Sequence, residues 1–361
     1  MVILAGVAGL VLISLVLWDG FESIILPHRV TRQIRLARFF YRLTWRPWSA
    51  MARRIRNNNR RENMLSYFGP LSIILLLIVW AAGIIIGFAL IQLALGSQIA
   101  VANGKPTFGA DLYMSGTTFF TLGFGDVVPI ARLAKVATVA EGGLGLGFLA
   151  MIISYLPALY SSFSSREVDV TMLDARAGSP PTAFELLRRN RALADPATLE
   201  HFLQDWERWS AKIMESHLSY PVLAYYRSQH ENQSWVTALA MILDLSTLIQ
   251  VGIDGLPTET ARLTFAMARH ACVDLTQIFN LPPLNPPVDR LPPMNLARLR
   301  AGLTAAGMSL QDSPHADRRL GELRAMYEPY IYALARYLLA ALPPWMPEED
   351  LLDDWQITGW E

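Results

Sequence analysis

The sequence predicts an all-α membrane protein with a second all-α domain outside the bilayer, and three observations carry that expectation. Leu71 to Leu95 is an apolar run with no charged side chain. Val136 to Phe163 is a second run, whose single charge is Glu141. A spanning helix needs about 20 apolar residues, so both runs are long enough. Beyond Ser165 the composition turns mixed, apolar residues recur at helical spacing, and the alternation expected of strands is nearly absent.

Composition agrees with this. The chain is 52% hydrophobic and 17% charged with a mean hydropathy of +0.28, whereas a soluble domain is about a quarter charged. That argues against an ordinary soluble enzyme, and no catalytic constellation is expected. The chain has one cysteine, Cys272, which excludes an intramolecular disulfide, and no Cys/His cluster has zinc spacing.

Val2 to Trp18 is a third uncharged run, read as an N-terminal transmembrane helix over 1–19. A cleaved signal peptide is the alternative, but the basic n-region and small-residue cleavage site are missing. Residues 20–66 form a basic linker, 67–165 the central membrane module and 166–361 a helical domain. The net charge is zero overall, yet residues 1–66 carry +8 and residues 166–361 carry −8. Eleven arginines crowd the linker, so the positive-inside rule places it in the cytoplasm. The N-terminus then lies outside, the helix at 71–95 runs outward, the helix at 136–163 runs inward, and the C-terminal domain is cytoplasmic, in a plasma or inner membrane.

Arg29, Arg32, Arg35 and Arg38 are spaced every three residues and resemble the charged helix of a voltage sensor. The companion helices such a sensor needs are not found. The linker is read instead as an interfacial helix, with Phe39, Phe40, Trp45 and Trp48 among headgroups and its arginines on anionic lipid.

Between the two strong spans lies a stretch, Gly109 to Pro129, too short and too rich in Gly and Thr to span as a helix. Asp111 is read as the N-cap of a short helix ending near Phe120, whose negative C-terminal end favours a cation near Thr121. Irregular backbone at membrane depth survives only when buried in protein or lining water. The segment Thr121-Leu122-Gly123-Phe124-Gly125-Asp126 resembles the selectivity filter of the potassium channel superfamily, in its two-helix-plus-pore-loop form. The resemblance covers residues 70–163.

That resemblance implies an outer helix, pore helix, filter and inner helix. It implies K⁺ as the transported ion with no cofactor, K⁺ bound by the hydroxyl and carbonyl of Thr121 and the carbonyls of Leu122, Gly123 and Phe124, and Gly125 at the outer mouth. Asp126 holds the filter from behind or attracts cations. Leu122 stands where the family usually has Val or Ile, and Phe124 where Tyr is commoner; Phe119 and Phe120 stand where many relatives carry tryptophan. These departures bear on filter rigidity and inactivation more than on ion class. One loop per chain implies a homotetramer, because a carbonyl cage needs four.

On the inward helix, Gly145 lies where related channels place a gating hinge. Gly143-x-x-x-Gly147 and Gly83-x-x-x-Gly87 are also small-residue pairs suited to close helix packing, so hinge and packing both stand. Glu141 is the ionisable residue inside a span; it either lines the cavity or lies behind the filter and bonds Thr117 or Thr118.

In the C-terminal domain, Leu199, Phe202, Leu203, Trp206, Trp209 and Ile213 share one helical face. Trp235, Leu239, Ile242, Leu245 and Ile249 share another, and residues Leu320 to Leu338 a third. About six helices are expected, broken by a stiff proline-rich loop at 281–293. His270 and Asp274 are one turn apart, a weak metal pair, and His270 is expected to be buried. The whole reads as a potassium channel whose helical domain gates or assembles it and could take an unknown cytoplasmic ligand; no nucleic-acid partner is expected. The alternative is a membrane-anchored scaffold with a vestigial pore loop.

Overall fold

Long apolar runs fold as helices in lipid because no water is there to take their backbone groups. In a computed structural model, which describes residues 2–26, 36–102, 104–189, 196–228, 233–253, 255–347, 353 and 356, the runs do so. The chain divides into two compact units, residues 1–54 with 67–161 and residues 55–66 with 162–361.

The first unit contains α1 (Val2–Gly20), α2 (Leu36–Arg54), most of α3 (Asn58–Ala94), α4 (Phe108–Phe119) and the first part of α5 (Arg132–Ala177). Two short strands, β1 (Ile99–Val101) and β2 (Val127–Pro129), pair antiparallel with Ile99 opposite Pro129. Three stretches, Val2–Ile24, α3 and α5, are long and apolar enough to cross a membrane. A core of Ile13, Val16, Phe40, Trp80, Ile84, Phe88 and Phe119 ties α1 to α4 together.

Glycine lets α1 and α3 approach closely. A Cβ on Gly87 would lie 2.5 Å from Ile13 and one on Gly83 2.8 Å from Val16, so the Gly83-x-x-x-Gly87 face is a packing face. At the end of α1, buried Asp19 accepts from the backbone N–H of Ala37, at 3.1 Å, and from Trp80 Nε1, at 2.9 Å. It thereby satisfies a donor in the first turn of α2.

The interfacial reading of α2 needs correction. Phe40 and Trp45 are buried in protein, and Trp45 packs edge-on against Phe68 at 4.8 Å. Leu36, Phe39, Leu43 and Met51 are exposed apolar residues of this helix. Of the four regularly spaced arginines, Arg29, Arg32 and Arg35 lie outside the described residues.

The second unit holds α6 (Ala183–Arg189), α7 (Pro196–Ser219), a 3-10 turn (Pro221–Tyr225), α8 (Trp235–Gly252) and α9 (Thr258–Ile278). After the proline-rich loop come α10 (Pro293–Ala305), α11 (Pro314–Ala325) and α12 (Glu328–Leu338). Seven helices thus follow α5 among the described residues, where about six were expected. The added break falls at Met326–Tyr327, because Pro329 supplies no N–H and its ring opposes helix continuation. The α8 helix is apolar enough to cross a membrane, but 16 of its 18 residues are buried within the unit, which makes it a core helix. Residues 281–292 of the proline-rich loop are neither helix nor strand, Pro293 already opens α10, and the loop is fixed by Leu284 N–H on the Pro329 carbonyl. His270 is exposed rather than buried, 3.3 Å from Asp274.

One polar cluster crosses this core. Asp244 on α8 takes Arg290 at 2.6 Å and the Tyr327 hydroxyl at 2.5 Å, and Arg290 also reaches Glu328 and the Pro343 carbonyl. The Trp345 ring lies under both Arg290 and Arg324, at 5.8 and 5.7 Å.

Candidate functional site: the pore loop

The site is built by a short helix that stops inside the unit. Helix α4 is capped by Thr107, whose Oγ1 accepts from Ala110 N–H at 3.3 Å. The expected cap, Asp111, lies four residues further on, in the first turn. It is fully buried and accepts from Ser97 Oγ at 2.6 Å, tying the helix to the end of the α3 loop. An anion at that end still complements the helix dipole.

At the other end, α4 unwinds into Thr121 to Asp126. The N–H of Thr121 donates to Thr118 O at 3.0 Å, and those of Leu122 and Gly123 donate to Thr117 O at 2.7 and 3.2 Å. The first three donors of the loop are thus consumed by the last turn of its own helix. Among the described residues, no backbone N–H reaches the carbonyls of Thr121 to Gly125, and residues 121–126 are exposed in the single chain. Thr121, Gly123 and Gly125 have φ of +56°, +53° and +80°. A side chain at the glycines would be strained there, as Thr121 shows at its own position.

Beyond the loop, Asp126 O accepts from Ala102 N–H at 2.9 Å and its carboxylate takes the Tyr113 hydroxyl. The β1–β2 pair continues this attachment, so the C-terminal end of the loop is fastened to both α4 and the α3–α4 connection.

Behind the loop, Glu141 is fully buried and bonds Ser115 Oγ on α4, which also lies 2.8 Å from Ile85 O on α3. The partner is Ser115 and neither Thr117 nor Thr118, because Thr117 Oγ1 folds back on Met114 O. Gln92, also fully buried, ties α3 to α5 through Ala134 O and Thr138 Oγ1, both at 3.2 Å.

Gly145 touches the end of the pore helix. A Cβ there would sit 2.0 Å from Phe119 O, an impossible contact, whereas Gly143 and Gly147 face open space. Ser115, Tyr113, Thr107 and Gln92 were not singled out from the sequence. Gln92 carried a readable signal, being a lone amide in an uncharged span; Ser115 lies one turn beyond Asp111 on the same face of α4.

Residues 73–161 match the ion channel family. The chain is also similar to the uncharacterized membrane protein YdjJ of Bacillus subtilis (strain 168), 25% identical over 192 residues, which cover 53% of this chain and 55% of the relative. The match therefore spans about half of that relative's length. No solved structure matches.

Proposed function

We propose, from the ion-channel pore domain at residues 73–161, that this membrane protein is a potassium-selective channel formed by four copies of the chain, each contributing one loop. The observation that carries the reading is the row of unclaimed carbonyls from Thr121 to Gly125, with the N–H groups of residues 121–123 turned away into α4. Such carbonyls replace the hydration shell of a cation entering a narrow pore.

Every bonded feature of the loop serves that task. The N–H bonds to Thr117 and Thr118 hold the carbonyls without competing for them. The C-terminal end of α4 adds a negative dipole beside Thr121. Tyr113 and β2 hold Asp126 at the outer end, where its carboxylate attracts cations. Glu141 and Ser115 brace the pore helix against the lining helix.

The arginine excess of the linker supports a cytoplasmic side for residues 20–66 and the helical domain, an N-terminus outside, and anionic lipid as the linker's partner. Because α5 runs unbroken from Arg132 to Ala177, a rearrangement of the helical domain acts on the pore's lining helix directly. This is the physical basis for gating by that domain.

Flux from purified full-length protein in liposomes tests the reading. The expected result is K⁺ uptake at least tenfold faster than Na⁺ uptake, from particles whose native mass is that of four chains. A monodisperse protein passing neither ion would replace the channel with the scaffold reading.

A further inference from the structure

Arg166 stands on α5 three residues beyond Phe163, where the apolar run ends, and its side chain is 2% exposed. Five groups converge on its guanidinium. Its Nε donates to Glu167 at 2.9 Å, and its terminal nitrogens donate to the Leu223 carbonyl at 2.9 Å and the Tyr226 carbonyl at 2.8 Å. The Phe163 ring lies 5.2 Å from Cζ. The fifth group is His217 on α7, whose Nε2 lies 3.3 Å from a guanidinium nitrogen.

A guanidinium only donates, so His217 Nε2 must present its lone pair. The ring proton then sits on Nδ1, 2.9 Å from the Ile213 carbonyl that accepts it. His217 is thereby a neutral imidazole held in one tautomer. Its other neighbours supply no acid: the Trp235 ring of α8 packs tilted against it at 4.9 Å, and Ser216 lies 3.2 Å from Nδ1. Glu167 is committed to Arg166, the charge that bears on the ring, and Arg227 adds a second cation in the field of Arg166. Burial and the Arg166 charge hold His217 well below its ordinary value of 6.5.

We propose that Arg166 and His217 form a proton-sensitive latch between α5 and the helical domain: protonation of His217 turns an accepting contact into cation against cation and releases the Arg166 segment of α5 from the turn at 221–226. Arg166 acts here as a positioning residue, since it lies past the apolar run and touches no part of the loop. The proposal rests on the channel reading above. Its consequence is that acid on the domain side changes how often the pore opens and leaves the current through each open pore unaltered.

Single-channel recording of the full-length protein, with the domain side taken from about pH 7.5 to about pH 4.5, tests it. Open probability should change several-fold across that range at constant conductance, and His217→Gln should abolish the dependence. Glu167→Gln removes the anion that offsets Arg166, so its response should move to lower pH. That shift keeps the test sharp should His217→Gln fail to fold. A flat wild-type profile, a dependence that survives in His217→Gln, or a Glu167→Gln response at higher pH would each overturn the latch. Current lost at every pH would instead remove the channel reading, and the gating role with it.

A second readout needs no current. The unfolded chain takes up a proton on His217 below about pH 6.5 while the folded chain resists it, so stability is fully present above that pH and falls as acid is added. The urea midpoint of the wild type should drop more steeply with acid than that of His217→Gln; parallel curves would count against a neutral buried His217.

Discussion

Val139, Phe124 and Ile153 of the pore unit are 77%, 67% and 64% exposed, while Leu239, Leu245 and Ile249 of the helical unit are wholly buried. Both units are helical and both are rich in apolar residues. They differ in where those residues point. The helical unit closes its own core around α8. The pore unit leaves large side chains exposed and a row of backbone carbonyls unclaimed; lipid suits the side chains, and in the channel proposed above further copies of the chain complete the carbonyl row. One unit is finished by its own chain, the other by its surroundings, and substitutions should separate them on that basis.

The largest effect should come from the carbonyl row itself. Gly123→Ala or Gly125→Ala places a Cβ at positive φ, costing about 1 to 2 kcal/mol per residue, and turns carbonyls off the pore axis. In the proposed tetramer, four copies compound the distortion. Selective K⁺ flux should vanish while the purified protein keeps its helical signature. Unchanged K⁺ over Na⁺ preference would break the comparison at its centre.

Next comes the buried ion pair of the helical unit. Arg290→Met should destabilise that unit by about 3 to 5 kcal/mol, because Asp244 and Glu328 lose their shared cation inside the core. Burial already pushes the Tyr327 phenol well above its ordinary range, so it cannot neutralise Asp244 by releasing its own proton. Denaturant melting should show the helical unit unfolding early, with the ion preference of the intact fraction unaltered. Altered selectivity in that fraction would show that the filter depends on this core.

What could be read from the sequence follows the same division. Apolar runs set the spans, and the positive φ of Gly123 and Gly125 was readable because that conformation is written into residue type. The faces of α7 and α8 were legible because helical spacing reports burial. Long-range polar pairing was not legible: Ser115 with Glu141, Asp19 with Ala37 and Trp80, and Arg166 with His217 join residues far apart in the chain. Nothing in local spacing chooses among possible partners. Thr107 is the cap because its Oγ1 reaches Ala110 N–H, while Asp111 already sits inside the helix and pairs with Ser97, another long-range partner.

Gly145→Ala should have a smaller effect within the pore unit. Its Cβ meets Phe119 O, so the pore helix and α5 must part by more than an ångström, an overpacking cost of about 1 to 3 kcal/mol. The contact lies within one chain, so the tetramer should persist while filter conductance changes along with open probability. A pure hinge would lower open probability alone. Single-channel recording distinguishes the two.

Gly143→Ala and Gly147→Ala should give the smallest effect, and they sharpen the comparison most. Both glycines lie on the exposed face of α5, where an added Cβ meets nothing within the chain. In a helix interior, Ala is favoured over Gly by about 1 kcal/mol, so each substitution should leave the single chain as stable as before or slightly more so. Any loss must therefore arise between copies, where small residues let neighbouring helices approach. The expected outcome is an unchanged chain with a modestly larger fraction of free subunits, read by native mass measurement across a detergent dilution series. An unaltered subunit fraction would mean that this glycine face meets lipid, and the contact between copies would then fall to the apolar residues beside it, such as Leu146 and Ile153.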